Sequence, residues 1–306
     1  MSTAVTANES THLDKASGGR KAKDQLARII MWLAFLVALA PLAWILYEVL
    51  SNGLDNLLTS TWWTNSQRGI SVRREGGGAY HAIMGTLLQG LVTAAISVPI
   101  GIFTAIYLVE YGRGKLARAV SFMVDILTGV PSIVAALFVY ALWVTVMGFN
   151  RVGFAVSLSL VLLMIPTIVR STEEMLKLVP NELREASYAL GVPKWKTIAS
   201  VVLPTALSGI VTGVLLGLAR VMGETAPLLI LGPYTKNIHW DLFGGNMATL
   251  PTMINEERQF LTLDAAHDRV WAAALTLILL VLLLNLLGRV IARFGAVKSL
   301  PTQKAN

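Results

Sequence analysis

Arg220 and Glu224 are the first residues to consider for chemistry. The segment around them, LSGIVTGVLLGLARVMGETAPLLILG at 207–232, is otherwise uncharged. Four residues apart, the two share one face of a helix. A charge set mid-span in hydrocarbon costs ~2.5–3.5 kcal/mol or more, so such a residue is a functional candidate. The guanidinium offers a planar fork of donors that fits an oxyanion such as phosphate or sulfate, where a lysine offers only a point charge. One reading has Arg220 facing a path and attracting an anion, with Glu224 orienting it or forming a gate. The other is a salt bridge that holds helices together.

The second constellation is the polar stretch NELREASYALGVPKWKTIASVVLP at 181–204. Glu185, Ala186 and Ser187 stand a fixed distance before Gly191, and Val201, Leu203 and Pro204 follow nine intervening residues later. A helix from about Pro180 to Leu190 sets the small residues Ala186, Ser187 and Ala189 where another protein could approach closely. Gly191 ends it by taking a positive φ, and Pro193 starts a new segment. A helix–turn–helix between two membrane spans moves both spans when pushed. An ordinary amphipathic interfacial loop is the plainer alternative.

The elements that position these residues follow from composition. The 306 residues are 55% hydrophobic and 14% charged, with mean hydropathy +0.63. A soluble domain carries roughly 25% charged residues. Charge is absent from windows long enough to cross ~30 Å of hydrocarbon at ~1.5 Å per residue. Six spans are expected, at about 29–50, 82–109, 119–148, 152–169, 204–232 and 270–288, between a disordered basic tail at 1–28 and a tail at 294–306. Residues 29–293 thus form one all-α membrane domain, since each backbone group in lipid needs an internal partner. A cleaved signal peptide is the rival for the first span, but no small-residue cleavage site follows it.

Orientation follows from Lys and Arg. Seventeen lie in the N-terminal tail, the 110–118 and 170–197 loops and the C-terminal tail, against seven on the opposite side, with Arg220 in between. Both termini are therefore expected in the cytoplasm. The same asymmetry accounts for the net charge of +7 through the membrane surface, without nucleic acid as a partner. Trp62, Trp63, Trp240 and Trp271 are expected as interfacial anchors. Asp125 is expected to snorkel or pair with Arg118, and Gly129, Pro131 and Ser132 to bend or unwind the third span. Gly213 and Gly217 favour close helix packing. The acidic surplus of the 233–268 loop reads as a solvated face. The four scattered histidines have no metal-ligand spacing, and there is no cysteine, which excludes disulfides, thiolate metal sites and cysteine nucleophiles. No cofactor is implied.

The 181–204 spacing resembles the EAA loop of permeases from importers of the ATP-binding-cassette class, E-A-A-x-x-x-G-x9-I-x-L-P, with Ser187 for the second Ala and Val201 for Ile. The segments GGGAYHAIMGTLLQGLVTAAISVPIGIFTAIYLVEY (76–111), VDILTGVPSIVAALFVYALWV (124–144) and LARVMGETAPLLI (218–230) resemble the phosphate-importer permeases, and the GGGAY start resembles their PstA-type branch more than the PstC-type. The resemblance covers roughly 30–290. It implies a type I importer permease fold and transport of inorganic phosphate, with Arg220 as the essential transport arginine and Glu224 as its acidic neighbour. It assigns Glu185, Ala186, Ser187, Gly191, Leu203 and Pro204 to contact with an ATPase. Implied partners are a second, PstC-like permease in a heterodimer, two copies of an ATP-binding subunit and an external phosphate-binding protein docking on the 233–268 loop. The chain is not itself the ATPase: no G-x-x-x-x-G-K-[ST] loop occurs, and GRGKL at 112–116 has Leu116 where the Mg²⁺-binding hydroxyl belongs. The alternatives are a permease for sulfate, molybdate or phosphonate, a membrane-embedded enzyme, or a passive channel. Against the enzyme stands the lack of clustered catalytic groups.

Overall fold

The computed structural model describes residues 18–295, and the side chains of 22–290. The expected disorder at 1–17, and the C-terminal tail from 296, lie outside the described residues. The first helix, α1 (Gly18–Leu57), begins earlier than expected, so residues 18–28 are helical rather than part of a disordered tail. The run RKAKDQLAR is made of good helix formers and extends the apolar helix that follows it. The chain divides at Glu48 into two units, Met1–Glu48 and Val49–Asn306. In the first unit every described side chain from Ala22 to Tyr47 is exposed, and the run from Ile29 onward is almost wholly apolar.

In the second unit, a short α2 (Ser60–Thr64) and an irregular segment lead to α3 (Tyr80–Ile106), which continues through a π-turn, Tyr107–Tyr111. Next come α4 (Gly114–Gly129) and α5 (Ser132–Tyr140), the latter extended by a π-turn at Ala141–Val146. The chain bends by 105° between them, so the third expected span is broken at Val130–Pro131, where Gly129, Pro131 and Ser132 were expected to bend or unwind it. Proline lacks the donor that would continue the ladder and disfavours helical backbone at the residue before it. The helix α6 (Gly153–Lys177) follows, then α7 (Asn181–Ala189) and α8 (Lys194–Thr197). Through a π-turn at Ile198–Val202, α8 runs directly into α9 (Leu203–Met222), giving one rod from Lys194 to Met222. After a break come α10 (Ala226–Leu231), α11 (Leu250–Glu257) and α12 (Asp264–Gly295).

Among the described residues, five helices are long and apolar enough to cross a membrane, and the bent α4–α5 pair makes a sixth crossing if counted as one span. The most buried of them is α6, with two-thirds of its most apolar stretch inside, and it packs most extensively on α3 and α9. Lipid tails are as apolar as leucine, so helices associate here by close packing rather than by escape from water. Small residues make this possible. A Cβ on Gly101 of α3 would stand 2.6 Å from Ile168 Cγ2 of α6, and one on Gly213 of α9 would stand 2.2 Å from Ser171 Oγ of α6. Leu91, Phe103, Phe122 and Leu216 cover the outside, as in a body solvated by lipid.

The end that carries Trp62 and Glu257 departs from expectation twice. Trp62 is 1% exposed and donates from Nε1 to Thr276 Oγ1 at 2.9 Å, so it is a core residue rather than an interfacial anchor. Glu257, expected on a solvated face, is 1% exposed and pairs with buried Arg269 at 3.0 Å. The same guanidinium also donates to the Val72 and Arg74 carbonyls, tying the segment before α3 to the start of α12.

Candidate functional site

The 181–204 loop folds into two limbs. Glu182 in the first turn of α7 suits the positive end of its dipole. The helix stops at Leu190 because Gly191 takes φ +75°, and the Val192 N–H folds back to the Ser187 carbonyl at 3.2 Å. Pro193 then caps α8.

Within this loop the side chains divide by direction. Glu185 and Ala186 are exposed, and so are Leu190 at 83% and Trp195 at 65%. Ser187 is not presented to the outside as its small size suggested. It is buried, with Oγ 2.8 Å from Thr197 Oγ1, and so pins one limb to the other. Leu203 and Pro204 are half-buried within the rod, Leu203 against the cluster that holds Val202 and Ala206.

Arg184, Glu110 and Lys194 were not singled out by sequence reasoning. Arg184 donates to Glu110 Oε1 from Nη2 at 2.9 Å and from Nε at 3.1 Å. It also reaches the Leu176 and Val179 carbonyls at the C-terminal end of α6. Both partners are sequestered, at 12% and 5% side-chain exposure. The Lys194 amine donates to the Glu110 backbone carbonyl and lies 4.7 Å from the centre of the Tyr111 ring. No signal in the sequence links Glu110 to a residue 74 positions away; counting charges registered Arg184 and Lys194 only as cytoplasmic lysine and arginine.

At the far end of the rod lies Arg220. It is not mid-helix, as its place in the apolar run implied, but in the last turn of α9 before the break at Gly223–Thr225. Helix C-termini favour cations because their last carbonyls are unpaired. Glu224 sits in the break, its N–H bonded to the Val221 carbonyl at 3.2 Å, and so is not on a continuous helical face with Arg220. The two still pair, Nε to Oε1 at 3.8 Å, too long for a hydrogen bond. Arg220 is 58% exposed at the side chain and Glu224 18%. The loop and this pair are therefore not one site. From Lys194 to Arg220 they are joined by a single rod, ~39 Å at ~1.5 Å per residue.

Asp125 pairs with Arg170 of α6, not with Arg118, which bonds the Gly114 carbonyl. Seven residues on one helix are ~10 Å of rise, too far for the expected pair. Near the start of α3 a buried cluster joins Tyr234 OH to Gln67 Oε1 at 2.9 Å and to His81 Nε2 at 3.3 Å. Burial, with the Glu257 and Glu256 carboxylates nearby, raises the Tyr234 phenol above its usual range and keeps it a neutral donor.

The arrangement is that of a helical membrane body with an exposed polar loop and, among the described residues, no group of His, Cys, Asp or Glu that could hold a metal ion. A family model described as "Binding-protein-dependent transport system inner membrane component" matches residues 97–294, which takes in the loop, the rod and the Arg220–Glu224 break. The chain belongs to that family. A member is a multi-pass transport component rather than an enzyme, and its partners are a binding protein and an ATPase subunit. Among relatives of this permease, the phosphate transport system permease protein PstA of Mycobacterium leprae is 54% identical over 271 residues, 88% of each chain. PstA 1 of Mycobacterium tuberculosis H37Rv is 53% identical over 91% of this permease and 90% of its own length. Among solved structures, the bacterial alginate ABC transporter in complex with its alginate-pentasaccharide-bound periplasmic protein aligns with TM-score 0.61 at 13% identity, over 90% of this permease and 96% of that chain. At that identity the likeness concerns the fold, which is the type I importer permease fold.

Proposed function

We propose that this chain is the transmembrane permease subunit of an ATP-driven phosphate importer, forming half of the pathway. The observation that carries this is 53–54% identity, over about nine-tenths of its length, with permeases named for phosphate transport. Its partners are a second, PstC-type permease in a heterodimer, two copies of an ATP-binding subunit and an external phosphate-binding protein. Both termini face the cytoplasm, in keeping with the surplus of Lys and Arg on that side.

In this reading the ATPase meets Glu185, Ala186 and the exposed Leu190 and Trp195, while Ser187 and Gly191 hold the loop's shape. Leu203 and Pro204 carry its movement into α9. The moving rod ends at Arg220, whose guanidinium is more than half exposed and free of any hydrogen bond to Glu224. It can therefore offer its paired donors to a phosphate oxygen. Glu224 tethers it by charge alone.

The test is labelled phosphate uptake at matched expression. Arg220→Lys keeps the charge but loses the fork, so uptake falls sharply, and Arg220→Gln abolishes it. A purely structural pair would be rescued by removing both charges, because breaking only one partner leaves an uncompensated charge. Arg220→Gln with Glu224→Gln therefore stays inactive if Arg220 handles the anion. Near-normal uptake by the double variant would make the pair structural.

A further inference from the structure

We infer that Glu110 is the joint through which movement of the 181–204 loop is delivered to α3. This inference rests on the reading of α7 as the ATPase contact. The loop has one free side and one held side. The free side carries Glu185, Leu190 and Trp195. The held side converges on one residue, for both limbs reach Glu110: Arg184 of α7 through the carboxylate, Lys194 of α8 through the backbone carbonyl.

That the carbonyl is available has a local cause. Glu110 lies in the π-turn Tyr107–Tyr111, where the regular ladder is interrupted at the end of α3. Arg184 is held equally firmly on its own side, with the Val179 and Leu176 carbonyls accepting from its two terminal nitrogens. The planar fork thus fixes α7, the end of α6 and the end of α3 relative to one another. A displacement of α7 cannot leave α3 behind without stripping a sequestered carboxylate of its partner.

From the joint, α3 runs without a break to Tyr80. There it meets the outer segment at backbone range: a Cβ on Gly85 would stand 1.8 Å from the Ala248 carbonyl oxygen, and Leu250 N–H donates to Thr86 Oγ1 at 2.9 Å. Movement entering at Glu110 therefore has a rigid route to the 247–250 segment on the opposite face. The rod Lys194–Met222 is one lever arm from the loop, and α3 is the second.

Glu110 and Arg184 are positioning residues, and the test must separate a joint from a brace. The full importer is reconstituted with its ATPase and external binding protein. Complex recovery, ATP hydrolysis and labelled phosphate uptake are measured on the same preparation. For Glu110→Gln the joint predicts normal recovery, hydrolysis within about twofold of the parent, and phosphate moved per ATP down about tenfold. Glu110→Asp, which keeps the charge, recovers part of the loss. Because Glu110→Gln alone could lower recovery, Glu110→Met with Arg184→Met removes the pair without orphaning either charge. It assembles and remains uncoupled. Unchanged phosphate per ATP in the complexes that survive, or failure of the double variant to assemble, would make the pair a brace and overturn the inference. Failure of the underlying reading is seen separately: Leu190→Asp should abolish ATPase capture, and capture at the parent level would mean that α7 is not the contact.

Discussion

Gly191 allows the coupling role of the loop to be tested with a worked magnitude. Its φ is +75°, and no atom lies within 4 Å of the place where a Cβ would stand. A side chain there meets no neighbour in this chain, so the cost is backbone alone. For an L-residue that is ~1–2 kcal/mol, partly offset by the ~0.4–1 kcal/mol gained from stiffening the unfolded chain. Gly191→Ala should therefore weaken the loop's folded geometry by about 1 kcal/mol, roughly a fivefold shift in its population. Asn adopts this backbone region far more readily and should fall close to Gly, while β-branched Val should be worst. Gly114 supplies the control, because its φ is +76° and its surroundings are equally open, but it is the first residue of α4, outside the 181–204 loop. The assay is ATPase co-purification with phosphate uptake at matched expression. At Gly191 the expected order is Gly, Asn, Ala, Val in both readouts, and at Gly114 ATPase capture should not follow that order. Equal capture by Gly191→Val and the parent would refute the claim that this turn sets the docking geometry.

Other outcomes follow from the packing and the topology. Gly101→Ala should lower the melting temperature in detergent, since overpacking against β-branched Ile168 costs ~1–3 kcal/mol. Gly217→Ala should raise it, because its Cβ would stand at ordinary contact, 3.6 Å from Met164, and Ala gains up to ~1 kcal/mol of helix propensity. Gln89 of α3 is buried with both side-chain amide atoms unpartnered, so Gln89→Met should raise the melting temperature, the orphaned amide costing ~1–3 kcal/mol. A fall would mean that the amide finds a partner in the native membrane. Reporter fusions at Ser66 and Phe260 should read external and those at Gly114 and Asn181 internal, and an external reading at Asn181 would break the orientation.

Legibility in the sequence followed the range of the forces. Apolar runs bounded by charges are local, so long helices overlie them, and Pro131 marks the bend between α4 and α5. Gly191 and Pro193 declared the turn between the limbs for the same reason. Side-chain partnership across the fold was not legible. Asp125 found Arg170 rather than Arg118, Glu257 and Trp62 went inward, and Arg184 chose Glu110, because each depends on which helices are neighbours. The break at Gly223–Thr225 was also missed, since apolar residues on both sides of Arg220 and Glu224 read as one span. That break moves Arg220 from the middle of a helix to its end, where its exposure is natural.

The most direct test of the account is reconstitution of this chain with a PstC-type permease, the ATP-binding subunit and an external phosphate-binding protein in sealed liposomes. Labelled phosphate is supplied on the binding-protein side and ATP on the other. The account predicts accumulation against a gradient that requires both ATP and the binding protein, is abolished by Arg220→Gln, and persists in excess sulfate or molybdate. Accumulation without ATP, or uptake of another oxyanion in preference to phosphate by the same assembly, would contradict it.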